Sequence, residues 1–255
     1  MNIFYKRKKQ KRILRVKPGT QTSIHFLVIN MDKNKDRLDI LLPQLKNIKC
    51  SYTIVKGIDG NNMENDADAI KILSPLKNVE NKLLGKTFHH IVTKKKWIYD
   101  GTVSTSFPNL NLNGHHGTKG LTLSNIKAFM IASKLNYRWF CVLEDDSEID
   151  MNIYNIIKKT SIVNNNKDII LMDKRDNGWG GTCAMLYNKR IIETLIRDLN
   201  PMSLFSINSH KIGDKNLGNL CNLWDWKLWK YVKYVNKKFT TCPCVPSGKF
   251  KSTIC

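Results

Sequence analysis

Apolar residues along the chain fall into short blocks separated by polar punctuation, and the period of each block predicts its element. Ile24-His25-Phe26-Leu27-Val28-Ile29 is a nearly continuous apolar run, the pattern of a buried strand, and Asn30-Met31-Asp32 ends it. From Asn34 onward Arg37, Leu38, Ile40, Leu41, Leu45 and Ile48 keep a helical period, disturbed by Pro43. A second strand over 51–56 runs into Gly57-Ile58-Asp59-Gly60, a turn by composition. Strand, helix and strand in this order predict a βαβ unit whose right-handed crossover brings both strand ends to one edge.

Residues 61–118 are polar, with short apolar pieces, a Phe88-His89-His90 cluster and an Asn/Gly/His loop over 111–117. They read as an insertion over one edge of the sheet. The pattern then predicts a helix over 120–135, capped by Thr122 or Ser124, with Leu123, Ile126, Met130 and Ala132 on one side. An aromatic strand over 137–143 stops at Glu144-Asp145-Asp146. Two further strands, 168–172 and 182–187, flank a turn containing Gly178, Gly180 and Gly181. A helix over 188–199 closes at Asn200-Pro201, a second helical piece over 223–234 carries three Trp, and Phe239 leads into a Cys/Pro-rich tail. The alternation is that of an α/β domain over 21–255, preceded by a basic arm over 1–20.

Composition narrows the class. At 42% hydrophobic and 25% charged residues the chain is an ordinary globular protein rather than a disordered one, and no apolar run is long enough for a membrane span. Charge is more informative: 42 Lys and Arg against 21 Asp and Glu give +21. Such a field attracts polyanions, among them nucleic acid and nucleotide-bearing substrates. The excess also sits beside much Asn and Ile, as an A/T-rich coding sequence, viral or otherwise, produces. No nucleic-acid-binding fingerprint is present, which makes nucleic acid the weaker partner.

The seven cysteines are odd in number, and Cys141 and Cys183 lie inside apolar runs as small core residues do. Cys242 and Cys244, with Cys221 and His210, imitate a zinc site but match no common finger spacing. The first residues are basic without the apolar core of a secretory signal, and no N-x-S/T sequon occurs. A reducing cytosolic setting, host cytoplasm or virion if the source is viral, is the expectation.

Three carboxylates, Glu144, Asp145 and Asp146, follow an apolar strand at the edge where α/β sheets place ligands. Crowded carboxylates repel one another, and a hard divalent cation, Mg²⁺ or Mn²⁺, relieves that repulsion; a solvated turn or helix cap is the other reading. In Trp224-Asp225-Trp226 one carboxylate stands between two indoles, where desolvation raises its pKa and suits a general base, although an aromatic helical face with a capping Asp225 fits as well. Asp32 and Asp36 with Arg37 read in isolation as an intrahelical ion pair, and the two His pairs as loop residues. P-loop, zincin and serine-hydrolase motifs are absent.

These pieces resemble, in order, the motifs of glycosyltransferase family 25. Val28-Ile29-Asn30-Met31-Asp32 with Asp36-Arg37, then Gly57-Ile58-Asp59-Gly60, is similar to the family's opening. Gly120-Leu121-Thr122-Leu123-Ser124-Asn125 resembles its G-x-x-L-S-H segment, with Asn125 in place of His. Val142–Asp146 matches V-L-E-D-D, Gly181-Thr182-Cys183-Ala184 resembles the glycine-led strand that follows, Leu223–Trp226 the late D-W element, and Ser252-Thr253-Ile254 the terminal S-T-I. The likeness covers 23–254 apart from the insertion at 61–118, which falls on the acceptor side.

The resemblance implies a GT-A type fold, a single Rossmann-like domain with a mixed, mostly parallel sheet. It implies a metal-dependent, inverting transfer of galactose or glucose from UDP-galactose or UDP-glucose to a glycan, glycoprotein or collagen-like hydroxylysine acceptor. Asp146 would bind Mn²⁺ (or Mg²⁺), and Glu144 and Asp145 would organise the ribose and the surroundings of the ion. Asn30, Gly57 and Asp59 would lie near the nucleotide, Arg37 would contact phosphate, and Asp225, with Asp176 in reserve, would be the base. The rival expectation is an inactive, basic nucleic-acid-binding or virion protein that keeps a transferase-like fold.

Overall fold

The computed structural model describes residues 23–74, 87–89, 96–98, 116–174, 182–198 and 238–246. The first apolar run is β1 (Ile24–Asn30), buried along its whole length. It is followed by α1 (Lys35–Asn47), β2 (Ser51–Lys56), a 3₁₀ turn at Met63–Asn65, and a helix α2 over 67–74. A short antiparallel pair, β3 (Thr87–His89) and β4 (Lys96–Ile98), precedes α3 (His116–Lys134) and β5 (Trp139–Glu144). The rest is α4 (Met151–Val163), β6 (Ile169–Asp173), β7 (Ala184–Asn188), α5 (Lys189–Asp198) and β8 (Phe239–Val245).

Six strands form one sheet in the order β2-β1-β5-β7-β6-β8. β1 is parallel to β2 and β5, and β6 to β8, whereas β7 is antiparallel to both its neighbours. The sheet is therefore mixed and mostly parallel, as expected. Five strands end at one edge, and β7 begins there.

Alternation along the strands divides the core in two. Leu27 and Ile29 of β1, Phe140 and Val142 of β5 and Tyr187 of β7 face α3 and α5, where they meet Phe129, Ile192 and Leu195. Phe26 and Val28, with Trp139, Cys141 and Leu143, face α1 and α4 through Leu41, Leu45 and Ile157. The sheet thus lies between two helical layers. Each fully buried side chain of this size contributes roughly 1.5–3 kcal/mol. Phe129 and Tyr187 meet edge to face at 4.9 Å between ring centroids and fix α3 against the reversed strand.

Several elements differ from the sequence expectation. α3 begins at His116, so Thr122 and Ser124 lie inside it and cap nothing. α4 is an unpredicted helix, started by Asp150, whose carboxylate accepts from the Ile153 amide at 2.7 Å. Its apolar pattern is blurred because Met151, Ile162 and Val163 face solvent. The Cys/Pro-rich stretch is the outer strand β8, and an edge is where a sheet tolerates Pro243. The segment read as an insertion over one edge of the sheet, with no elements assigned in it, contains the 3₁₀ turn, α2 and the β3–β4 pair. Among the described residues, no helix is long and apolar enough to cross a membrane.

Candidate functional site

Parallel strand ends gather Asn30, Lys56 and Glu144 at one edge of the sheet, in the register pairs Asn30↔Lys56 and Ile29↔Glu144. The loops leaving these strands build the site. Beyond β5 the chain turns through Glu144-Asp145-Asp146-Ser147, closed by the Ser147 amide donating to the Glu144 carbonyl at 3.0 Å.

Asp145 is buried, and a buried carboxylate needs donors. It has three: Asn30 Nδ2 donates to Oδ2 at 2.9 Å, Asn34 Nδ2 to the same oxygen at 3.1 Å, and Arg37 NH1 reaches Oδ1 at 3.2 Å. Asn30 also donates to the Asn34 carbonyl at 2.9 Å. The β1–α1 turn and the acidic turn are thereby one polar unit. Arg37, only 7% exposed, points at Asp145, and Asn30 is occupied the same way.

Glu144 is joined to β7. Thr182 Oγ1 donates to Glu144 Oε1 at 3.1 Å, the Glu144 amide donates to the Cys183 carbonyl at 2.8 Å, and Ser147 Oγ donates to that carbonyl at 2.7 Å. Asp173, at the end of β6, accepts from the Cys183 amide at 3.1 Å. Asp146 is half-buried in the turn. Among the described residues no three His, Cys, Asp or Glu side chains gather as an all-protein metal cage. A hard cation held by one or two carboxylates and completed by substrate phosphates and water does not need such a cage, so this donor set fits Mg²⁺ or Mn²⁺.

A cleft of about 290 Å³ opens at the ends of β1 and β2, lined by Met31, Asp32, Lys56, Gly57, Asp59 and Asn62 among others. That is the low end of ligand-pocket volumes. Gly57 is required there by close approach: a Cβ would lie 2.6 Å from Met31 Sδ and 3.2 Å from the Asn30 carbonyl oxygen. Its amide donates to that oxygen at 2.7 Å. Asp59 caps its own loop by accepting from the Asn61 amide at 2.9 Å. Across the mouth Lys56 Nζ lies 2.6 Å from Asp32 Oδ2. The hydrogen bond from Lys56 holds Asp32 below the ordinary carboxylate range, and Asp32 raises Lys56.

The structure thus brings together Asn30, Arg37, Glu144, Asp145 and Asp146, with Gly57 and Asp59 two strands away. Asp225, Asp176 and the Trp224–Trp226 pair lie outside the described residues, as do Gly178, Gly180, Gly181, His210, Cys221 and the basic arm. The intrahelical reading of Asp32 and Arg37 gives way to longer connections, Asp32 to Lys56 and Arg37 to Asp145. Asn125 is buried in α3 and donates to the Leu121 carbonyl one turn back at 3.0 Å. Sequence reasoning missed Asn34, Ser147, Thr182 and Asp173. For Asn34 a signal existed: Asn30, Asn34 and Arg37 supply three donors near a strand end that must serve a crowded carboxylate.

No match to a curated protein is found. The sequence profile of glycosyltransferase family 25 (LPS biosynthesis protein) matches residues 23–191, which contain β1 through the start of α5 and the whole acidic turn. On a match to well over half its length, the chain belongs to glycosyltransferase family 25, a GT-A family whose members use nucleotide-sugar donors.

Proposed function

We propose that this chain is a metal-assisted, inverting hexosyltransferase that moves galactose or glucose from a UDP-sugar to a glycan, glycoprotein or collagen-like hydroxylysine acceptor. One observation carries the reading: the cleft at the ends of β1 and β2 opens on the same sheet edge as the acidic turn after β5. The acidic turn lies one strand spacing from the β1 side of the cleft and two from its β2 side, roughly 5–10 Å, a span suited to a nucleoside at one end and its diphosphate at the other.

In this reading the uridine enters the cleft beside Gly57 and Asp59, where the absence of a side chain at Gly57 lets the loop pack flat on Met31. Asp146 would hold a hard divalent cation, which would supply Lewis-acid neutralisation of charge on the departing UDP. Asn30, Asn34 and Arg37 act through Asp145, fixing the backbone from which Asp146 projects. Glu144, oriented by Thr182, serves the ribose side. Asp225 takes the proton of the acceptor hydroxyl as its oxygen attacks the anomeric carbon; the bond from that carbon to the phosphate oxygen breaks, and UDP leaves. A base in this position is worth roughly 10²–10⁴ in rate.

The test is UDP release from UDP-galactose and from UDP-glucose, with Mn²⁺ and with EDTA, beside an Asp146→Ala control. Metal-dependent release from one sugar, lost in the variant, supports the reading and names the donor. Full activity in Asp146→Ala removes the metal assignment. Absence of UDP binding, together with DNA binding that weakens steeply with salt, would favour the basic nucleic-acid-binding alternative.

A further inference from the structure

The loop after β2 lines the cleft, but the groups that fix its shape come from α3. Gly120, Ser124 and Lys127 stand at i, i+4 and i+7, one face of a helix; the first two meet this loop and Lys127 meets the residues that flank it. At Gly120 the approach is so close that an added Cβ would lie 2.3 Å from the Ile58 carbonyl oxygen and 2.9 Å from the Gly60 nitrogen. Ser124 Oγ accepts from the Ile58 amide at 2.8 Å and donates to the Gly120 carbonyl at 2.7 Å. Lys127 Nζ donates to the Lys56 carbonyl at 2.9 Å and pairs with Asp68 of α2 at 2.6 Å.

These contacts hold the cleft wall at both ends, at Lys56 where it leaves β2 and at Asp68 where it enters α2. Between them lie the lining residues Gly57, Asp59, Asn62, Asn65 and Asp66. A loop whose polar backbone groups are met by fixed side chains is ordered before a ligand arrives, so binding need not bear that ordering cost. Lys127 is mostly buried while Asp68 is half-exposed, which puts the ammonium at the inner end of the connection.

We infer that the Gly120–Ser124–Lys127 face of α3 is the positioning element of the nucleotide cleft, and that Lys127 sets how tightly the nucleotide half of the donor is held. The inference rests on the UDP-sugar reading of the cleft. Lys127 is a positioning residue, since it touches the wall and not the ligand.

The experiment measures UDP affinity by calorimetry, and donor KM and kcat, for wild type, Lys127→Met and Lys127→Arg. Lys127→Met is expected to weaken UDP and to raise donor KM by about tenfold, the scale of one lost charged hydrogen bond, with kcat at saturating donor kept. Arg, which keeps a cationic donor, restores most of the affinity. Amide exchange over 56–66 in the ligand-free protein should quicken in Lys127→Met and recover in Lys127→Arg. If wild type binds UDP and Lys127→Met binds it equally well, the positioning role falls while the transferase reading stands. A lower kcat at unchanged KM would likewise overturn it, marking general loss of folded enzyme. If wild type binds no UDP, the UDP-sugar reading of the cleft fails and takes this inference with it.

Discussion

Arg37 and Asp145 are 108 positions apart in the chain, yet the guanidinium and the carboxylate meet at 3.2 Å with both side chains less than a tenth exposed. The pair joins the first turn of α1 to the acidic turn after β5, across the end of β1. The acidic turn therefore depends for its position on a helix formed a hundred residues earlier. Asn30 and Asn34 complete the coordination of the same carboxylate.

Removing one member of such a pair leaves the other charge buried and uncompensated. Arg37→Met should cost about 3–5 kcal/mol of stability, read from denaturant midpoints. Adding Asp145→Asn to that variant removes the orphaned charge and should recover part of the loss. A cost below about 1 kcal/mol for Arg37→Met, the range of exposed pairs, would mean that water reaches the site.

The two close-packed glycines should differ in a predictable order. At Gly57 the nearest obstacle to a Cβ is the sulfur of Met31, the end of a flexible side chain; at Gly120 the obstacles are the backbone of Ile58 and Gly60. Gly120→Ala is therefore expected to cost about 3 kcal/mol and Gly57→Ala about 1 kcal/mol, the two ends of the overpacking range. Combining Gly57→Ala with Met31→Ala should relieve the sulfur contact but not the approach to the Asn30 carbonyl. Equal costs for the two single variants would contradict the geometry.

What the sequence made legible follows from how local each signal is. β1, β5 and the strand pair β6 and β7 announce themselves because central strands carry unbroken apolar runs, and Glu144-Asp145-Asp146 because three adjacent carboxylates are rare. α4 was hidden because its outward face carries Met151, Ile162 and Val163, which blur the helical period. β8 was hidden by Pro243, a residue that only an edge position excuses. Arg37 looked like a partner for a neighbouring aspartate or for phosphate, since a connection across 108 positions leaves no mark on local spacing. The segment Gly120–Asn125 was visible as a motif, but its work on the Gly57–Gly60 loop emerges only when α3 packs on the end of β2.

Lys189 ends α3 from another element. Its ammonium donates to the carbonyls of Ala132 at 2.7 Å, Ser133 at 2.7 Å and Leu135 at 2.9 Å, at and just past the helix C-terminus, where carbonyls lack full intrahelical partners. Burial lowers its pKa and the Glu193 carboxylate opposes that shift, while the three carbonyls and the α3 dipole also favour the charged form. Lys189→Met should destabilise the protein by about 1.5–3 kcal/mol, the worth of hydrogen bonds to a charged group. Amide exchange near 130–136 should quicken more than elsewhere; uniform acceleration would point instead to general loosening of the core.

His25 supplies a pH dependence with a definite sign. Its ring lies in β1 between two hydroxyls of β2, with Nδ1 2.8 Å from Ser51 Oγ and Nε2 2.8 Å from Thr53 Oγ1, and it stacks on Tyr137 at 4.6 Å between centroids. Burial disfavours the imidazolium and lowers the pKa below the ordinary 6.5. Between the folded and unfolded pKa values the unfolded chain binds more protons, so stability rises with pH in that window. The contribution of neutral His25 is complete above pH 6.5, is lost progressively as pH falls below it, and stops changing below the folded pKa. His25→Gln keeps a donor and an acceptor but cannot titrate. The stability difference between wild type and His25→Gln, from denaturant titrations at pH 7.5 and at pH 5, should move against wild type on acidification. Parallel pH profiles for the two proteins would show that the imidazole binds its proton equally well folded and unfolded, in conflict with its burial.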